Sequence, residues 1–274
     1  MKSNTVLTLL IGITIIGGSS YFFTQNKNTD STKVSIENST SKPTLSIFKE
    51  EKIKSIDVFQ ANIFDYSNVK NTAEKKQVFF DTLRPIIISQ NQLINDQREK
   101  VLLAQQNNEN QDWLQPLAEK YNVSWSNDRP NWKQLLTHID IIPTELVMAQ
   151  AANESAWGLS RFAQKGNNLF GQWCFKKGCG IVPGQRDTGA NHEVRKFSSI
   201  NDSVASYMHN LNSGRAYKDL RNLRANLRAS SKSVSGHILA TGLTKYSSRG
   251  KAYVKEIQSM IQTNKRLMQG ITKT

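Results

Sequence analysis

The chain has 274 residues, 38% of them hydrophobic and 21% charged, enough apolar material for one good core or a core with a smaller helical region, which excludes global disorder. Its 36 Lys and Arg against 22 Asp and Glu, a net +14, ask for an anionic or polyhydroxyl partner. Two cysteines exclude a disulfide-rich scaffold and a four-thiolate zinc site, and four scattered histidines without HExxH spacing predict no dedicated metal site.

Lys2 is followed by an uncharged run of 18 residues, Val6 to Phe23. That length just crosses a bilayer. Gly17, Gly18, Ser19 and Ser20 could form a signal-peptide cleavage site, whereas the cluster Tyr21, Phe22 and Phe23 suits a membrane interface and favours an uncleaved anchor over residues 1–25. Either way the bulk of the chain is exported. Residues 26–45, rich in Ser, Thr, Asn and Lys, read as a flexible tether.

Residues 46–136 read as a helical region without chemistry. Ile47 to Phe64 has no clear period. From Thr72 to Leu103, Val78, Phe79, Leu83, Ile86, Ile87, Leu93, Ile94, Val101 and Leu102 fall near helical spacing, with Pro85 as a break or kink. Trp113 to Tyr121 forms a second, short amphipathic piece. Pro143 to Trp157 predicts a helix, with Pro143 at its start and Gly158 as its stop. Glycines from Gly166 to Gly189 then mark loop and hairpin, and His192 to Ser198 alternates like a strand. Asn201 to Leu211 and Tyr217 to Leu227 are helical, Leu239 to Tyr246 is a connection, and Ala252 to Met268 is a last helix.

In an exported chain the spacing Cys174-x4-Cys179 predicts a small disulfide-closed loop, two free thiols being the other possibility. From Arg195 to the end, 15 Lys and Arg face three acids, Asp202, Asp219 and Glu256. The common meaning of such a run is a solvated face. The sharper one is attraction to a polyanion, and export argues against nucleic acid.

The chemical candidate is the end of the Pro143 helix. Gln150, Glu154 and Trp157 are spaced i, i+4, i+7 and on a helix share one face. A carboxyl beside an indole on an apolar helix is poorly solvated and holds its proton more firmly, as a general acid needs; lysozyme pairs a glutamic acid with a tryptophan in this way. Asn167, Asn168, Phe170 and Trp173 follow, amides and flat apolar faces of the kind that bind sugars. Phe170 is assigned to the core and Trp173 to the site.

Ala149-Gln150-Ala151-Ala152-Asn153-Glu154-Ser155-Ala156-Trp157-Gly158, then Ser160-Arg161-Phe162-Ala163 and Asn167-Asn168-Leu169-Phe170-Gly171, resembles the core motif of bacterial cell-wall glucosaminidases. Within them the chain is most similar to the Bax-type exported proteins of Gram-negative bacteria. These share an apolar N-terminus, a Gln-Trp-Cys after Asn-Leu-Phe-Gly and a late Tyr-Ser-x-Arg-Gly, here Tyr246-Ser247-Ser248-Arg249-Gly250. The similarity runs from Thr137 to Lys265, within an expected domain over 137–274.

The resemblance implies a mostly α, lysozyme-like fold with a small β-hairpin lobe. It implies an endo-β-N-acetylglucosaminidase that hydrolyses the β-1,4 bond after N-acetylglucosamine in peptidoglycan or a related glycan. Glu154 is then the general acid, with Tyr253 and Tyr246 lining the cleft. The second group is Glu193, with Asp187 or the substrate's own acetamide as alternatives. The expected catalytic set is Glu154, Glu193 and Tyr253, and the expected sugar contacts are Gln150, Asn168, Trp173 and Tyr246. No cofactor, metal or nucleic acid is expected. The implied protein is a periplasmic monomer tethered to the inner membrane. Two other readings stand beside this one: a lytic transglycosylase, and a glycan-binding envelope protein without activity.

Overall fold

The computed structural model describes residues 64–109, 112–184 and 189–271. The expected anchor, the tether and nearly all of the Ile47–Phe64 segment lie outside them. Among the described residues no helix is long and apolar enough to cross a membrane.

The first helix, α1, spans Thr72–Gln106. Asn71 caps it, its Oδ1 accepting from the amides of Ala73 and Glu74 at 2.9 and 3.0 Å. The Glu74 carboxylate returns to the Lys70 amide at 2.8 Å, closing a reciprocal cap. The helix runs on through Pro85. Phe79, Phe80, Leu83, Ile86 and Ile87 are buried in the main core with residues of the later helices. The sequence places a boundary near residue 136, and the main core runs across it.

Leu114–Lys120 forms α2, and Trp132–His138 forms α3, capped by Asn131. Neither periodicity nor composition marks α3, because seven residues are two turns. With the far end of α1 these helices build a second cluster around Val101, Leu114, Ala118, Leu135 and Ile139.

Thr144–Ser155 is α4, the central helix. Every residue from Leu146 to Ala152 is buried, because neighbours cover it on several sides. α5 covers Arg161–Gly166. A three-stranded antiparallel sheet follows, β1 (Trp173–Cys174), β2 (Gly180–Ile181) and β3 (Glu193–Arg195), in the order β1-β3-β2. Trp173 pairs with Val194, Cys174 with Glu193 and Gly180 with Arg195. Gly180 is obligatory, since a Cβ there would stand 2.1 Å from the Val194 carbonyl oxygen. Cys174 and Cys179 are joined in a disulfide, which closes the β1–β2 loop.

Ile200–Ser213 (α6), Lys218–Ala229 (α7), Gly236–Leu239 (α8) and Lys251–Met268 (α9) complete the mostly helical fold. A 3-10 turn, Ala240–Leu243, continues α8 where the sequence shows only a connection. α4 packs against α1, α8 and α9, so the helix bearing Glu154 is fixed by elements from both ends of the described chain.

The basic C-terminal third is less of a surface than its charge count suggests. Arg221 and Arg224 on α7 are buried. Arg224 donates to the carbonyls of Asp140, Ile141 and Thr137 and to Asn212 Oδ1 at 2.8 to 3.0 Å. Burial lowers its affinity for a proton, to a value of about 10, although Asp140 acts in the opposite direction. Arg228 holds the buried Asp140 carboxylate at 2.5 Å through both oxygens. Arg224 and Arg228 crosslink α7 to the segment entering α4, and Arg221 ties it to the end of α6 through the carbonyls of Leu211 and Gly214.

Candidate active site

α4 ends abruptly just after Glu154. Ala156, Trp157 and Gly158 take φ of 51, 60 and 77° in succession, a left-handed turn that is costly for the two non-glycine residues. Neighbours hold it in place. The Ser155 hydroxyl donates to the Ala151 carbonyl and accepts from the Gly158 amide, at 2.6 and 2.7 Å. Tyr66 donates to the Trp157 carbonyl at 2.6 Å. The Phe64 ring lies over Gly158 so closely that a Cβ would meet it at 2.2 Å.

The turn corrects the expected stripe. Helical phase stops at Ser155, so Trp157 does not continue the face of Gln150 and Glu154. Its indole stands edge-on to Phe79 and Phe80 of α1, at 5.5 and 5.4 Å between ring centroids, under the Lys76 ammonium. The indole belongs to the buttress of the turn.

Tyrosines surround the acid instead. Tyr253 on α9 donates to Glu154 Oε1 at 2.8 Å. The same phenol oxygen accepts from Gln150 Nε2 at 2.9 Å, and Tyr207 on α6 donates to Gln150 Oε1. Tyr246 stacks on Tyr253, centroids 5.2 Å apart and planes within 9°, and donates to the Phe170 carbonyl at 3.2 Å. Phe170 stacks in turn on Tyr207 at 3.8 Å. Burial, and then the negative charge of Glu154, push Tyr253 far above the ordinary phenol range. Burial likewise raises Tyr207 and Tyr246. These hydroxyls therefore act as neutral hydrogen-bond donors at any physiological pH. Glu154 is half-buried, reachable from outside while resting on a dry tyrosine wall.

Of the residues expected at the site, the structure brings together Glu154, Gln150, Tyr253 and Tyr246. Sequence reasoning missed Tyr207, and no local signal marks it, since it looks like any core tyrosine of an amphipathic helix. Asn168 is buried, and its amide is fully occupied. Its Nδ2 donates to the carbonyls of Gln172 and Arg195, both at 2.9 Å, and its Oδ1 accepts from the amides of Phe170 and Gln172. No hydrogen-bonding capacity is left for a sugar hydroxyl; Asn168 ties the loop to the sheet.

Glu193 is also turned inward. Its two oxygens accept from the amides of Gly178 and Gly180 at 2.9 and 2.7 Å, so it braces the disulfide loop. Asp187 lies outside the described residues. Cys174, Cys179 and Glu193 gather potential metal-binding atoms within 4.8 Å, but the sulfurs are bonded to each other and the carboxylate to backbone amides. Trp173 is 58% exposed and stacks on His192 at 4.1 Å, an open flat face on the sheet. A cavity of about 640 Å³, with Arg84, Glu145 and Lys265 in its wall, opens at the other end of α4, roughly 13 Å along the helix from Glu154.

A helical domain carries a small disulfide-closed sheet and an accessible acid at the end of its central helix, and the family match makes it a glycosidase-type enzyme. The family model for mannosyl-glycoprotein endo-beta-N-acetylglucosaminidase matches residues 129–266. The chain belongs to this glucosaminidase family and is a glycan-degrading hydrolase of the Bax type. It is 36% identical over 203 residues to Protein bax of Escherichia coli (strain K12), covering 71% of each chain. No solved structure matches it.

Proposed function

We propose that the protein is a peptidoglycan-directed endo-β-N-acetylglucosaminidase that hydrolyses the β-1,4 bond after N-acetylglucosamine, with Glu154 as general acid. The observation that carries this reading is the Glu154 carboxyl, accessible at the end of α4 and held at one oxygen by the buried Tyr253 hydroxyl. Glu154 protonates the glycosidic oxygen, the C1–O bond breaks, and the electron pair stays on the departing sugar. The charge growing at C1 needs a nucleophile. Glu193 is engaged by two amides, which favours the substrate's acetamido oxygen in that role. Water then opens the cyclic intermediate, and Glu154, now a carboxylate, accepts the proton.

Trp173 offers a face for a sugar ring, and Tyr246, stacked on Tyr253, borders the reacting sugar. The uncharged run from Val6 to Phe23 and the disulfide support a chain working in the periplasm, anchored at the inner membrane. Residues 137–274 carry the chemistry, with the described part of the preceding region, 64–136, as helical support.

Mass spectrometry of peptidoglycan fragments tests the reading. Wild type yields fragments ending in reducing N-acetylglucosamine, and Glu154→Gln yields none. Non-reducing anhydro products would reassign the enzyme as a lytic transglycosylase. Digestion by Glu154→Gln at the wild-type rate would refute the acid assignment, and an inactive wild type that still binds the glycan would leave a binding protein.

A further inference from the structure

Gln150 is the polar residue at the middle of the most buried helix in the fold, and its position calls for a reason. It accepts from Tyr207 and donates to Tyr253, and Tyr253 donates to Glu154 Oε1. The three links run in one direction. Tyr253 has a single hydroxyl proton. Because Gln150 occupies its oxygen as a donor, that proton points at Glu154. Tyr207, whose proton is committed to Gln150 Oε1, sets the orientation of the amide. Tyr207, Gln150 and Tyr253 are all buried, so no water competes for these links and each strengthens the next.

Both side-chain donors at Glu154 fall on the same oxygen. Oε1 accepts from Tyr253 and, at 3.3 Å, from Asn153 Nδ2; Oε2 takes no hydrogen bond from any described residue. In a protonated carboxyl the carbonyl oxygen is the better acceptor, so Oε1 is the carbonyl and Oε2 carries the hydrogen.

We propose that Gln150 and Tyr207 are positioning residues that act through Tyr253 to make Oε2 the proton-delivering oxygen of Glu154. This rests on Glu154 being the general acid. When Oε2–H passes its proton to the glycosidic oxygen, the electron pair of that O–H bond stays on the carboxylate. The Tyr253 hydrogen bond then strengthens as charge appears beside it, which favours the step. Gln150, expected from the sequence to touch sugar, does its work from the interior.

The test is a 13C titration of the Glu154 side-chain carboxyl, which needs no substrate, in wild type, Gln150→Met, Tyr253→Phe and the double variant. Tyr253→Phe removes the donor that favours the ionised form, so the midpoint rises by about one pH unit. Gln150→Met frees the Tyr253 hydroxyl to turn away and raises the midpoint by a smaller amount. The double variant rises no further than Tyr253→Phe alone, because the first residue acts through the second. The alkaline limb of the kcat/KM profile moves with the midpoint, which a merely structural loss would not cause. Tyr207→Phe, which keeps the ring stacked on Phe170, shifts the midpoint in the same direction and decides the matter should Gln150→Met not fold. An unmoved midpoint in the Gln150 and Tyr207 variants, or full additivity in the double variant, overturns the chain and leaves the acid assignment intact. Undiminished digestion by Glu154→Gln overturns the acid assignment and leaves the titration result standing.

Discussion

His138 makes the structure's acid sensitivity calculable. It sits at the end of α3 with 6% of its surface exposed, and its Nδ1 lies 2.7 Å from the Tyr121 carbonyl oxygen. That oxygen accepts, so Nδ1 carries a hydrogen. Burial, then the positive charges of Arg221 and Arg224, lower its affinity for a second proton to a value of about 4, although the Tyr121 carbonyl works the other way. In the unfolded chain the ring titrates near 6.5. Between those values the unfolded state binds the extra proton and the folded state does not. Stability from this residue is therefore complete above about pH 6.5 and falls as the pH is lowered towards about 4. At about 1.4 kcal/mol per unit, the loss is about 2 kcal/mol by pH 5 and at most about 3 kcal/mol in total. His138→Asn keeps a donor near the Tyr121 carbonyl and removes the titration. Urea unfolding of both proteins from pH 8 to 4.5 checks the argument. Wild type is the more stable at pH 8, and its advantage shrinks steadily below pH 6.5; at a slope of about 1–3 kcal/mol per molar urea, the change in relative midpoint is on the order of 1 M. An advantage that stays constant across the range would refute a neutral, buried His138.

Asp140→Asn removes the carboxylate facing the buried Arg224 and should cost about 3–5 kcal/mol in urea unfolding, with an unchanged slope; a loss under 1 kcal/mol would mean that the carbonyl partners of Arg224 suffice. Gly158→Ala forces a Cβ into the Phe64 ring at a φ of 77° and should lower the melting temperature by several degrees, for about 1–3 kcal/mol of strain. Adding Phe64→Ala should relieve the clash but not the backbone strain, so recovery is partial; a neutral Gly158→Ala would show that the turn is not as tightly packed as described. Glu193→Gln leaves one of the Gly178 and Gly180 amides facing a donor, so exchange of those two amide hydrogens should quicken at least about tenfold while glycan hydrolysis persists; complete loss of activity in a folded protein would restore Glu193 as the second catalytic group.

Much of the architecture is legible along the chain because its causes are local. Pro143 starts α4, the apolar spacing of Thr72 to Leu103 marks α1, and the glycines before His192 announce the sheet. α3 escapes notice because two turns are too short for a period to establish itself. The core motif around Glu154 points to the correct family, and Glu154 lies in the last turn of α4. Its surroundings are another matter. The expected indole partner fails because the left-handed turn begins at Ala156, two residues before the Gly158 that the sequence marks as the stop, so Trp157 already lies outside the helical phase.

From the sequence alone came the mostly helical class, the central helix, the disulfide loop and Glu154 as the candidate acid, each resting on residues within a few turns of one another. Only the tertiary structure decided what surrounds the acid. Tyr207 and Tyr253 lie 57 and 103 positions from Gln150, and nothing in their own segments distinguishes a hydrogen-bonded tyrosine from a packed one. Likewise Arg221, Arg224, Asn168 and Glu193 look available for partners outside, and the folded chain uses them within. A polar side chain's role depends on which unpaired groups the fold brings beside it, and that is a property of packing across the whole chain.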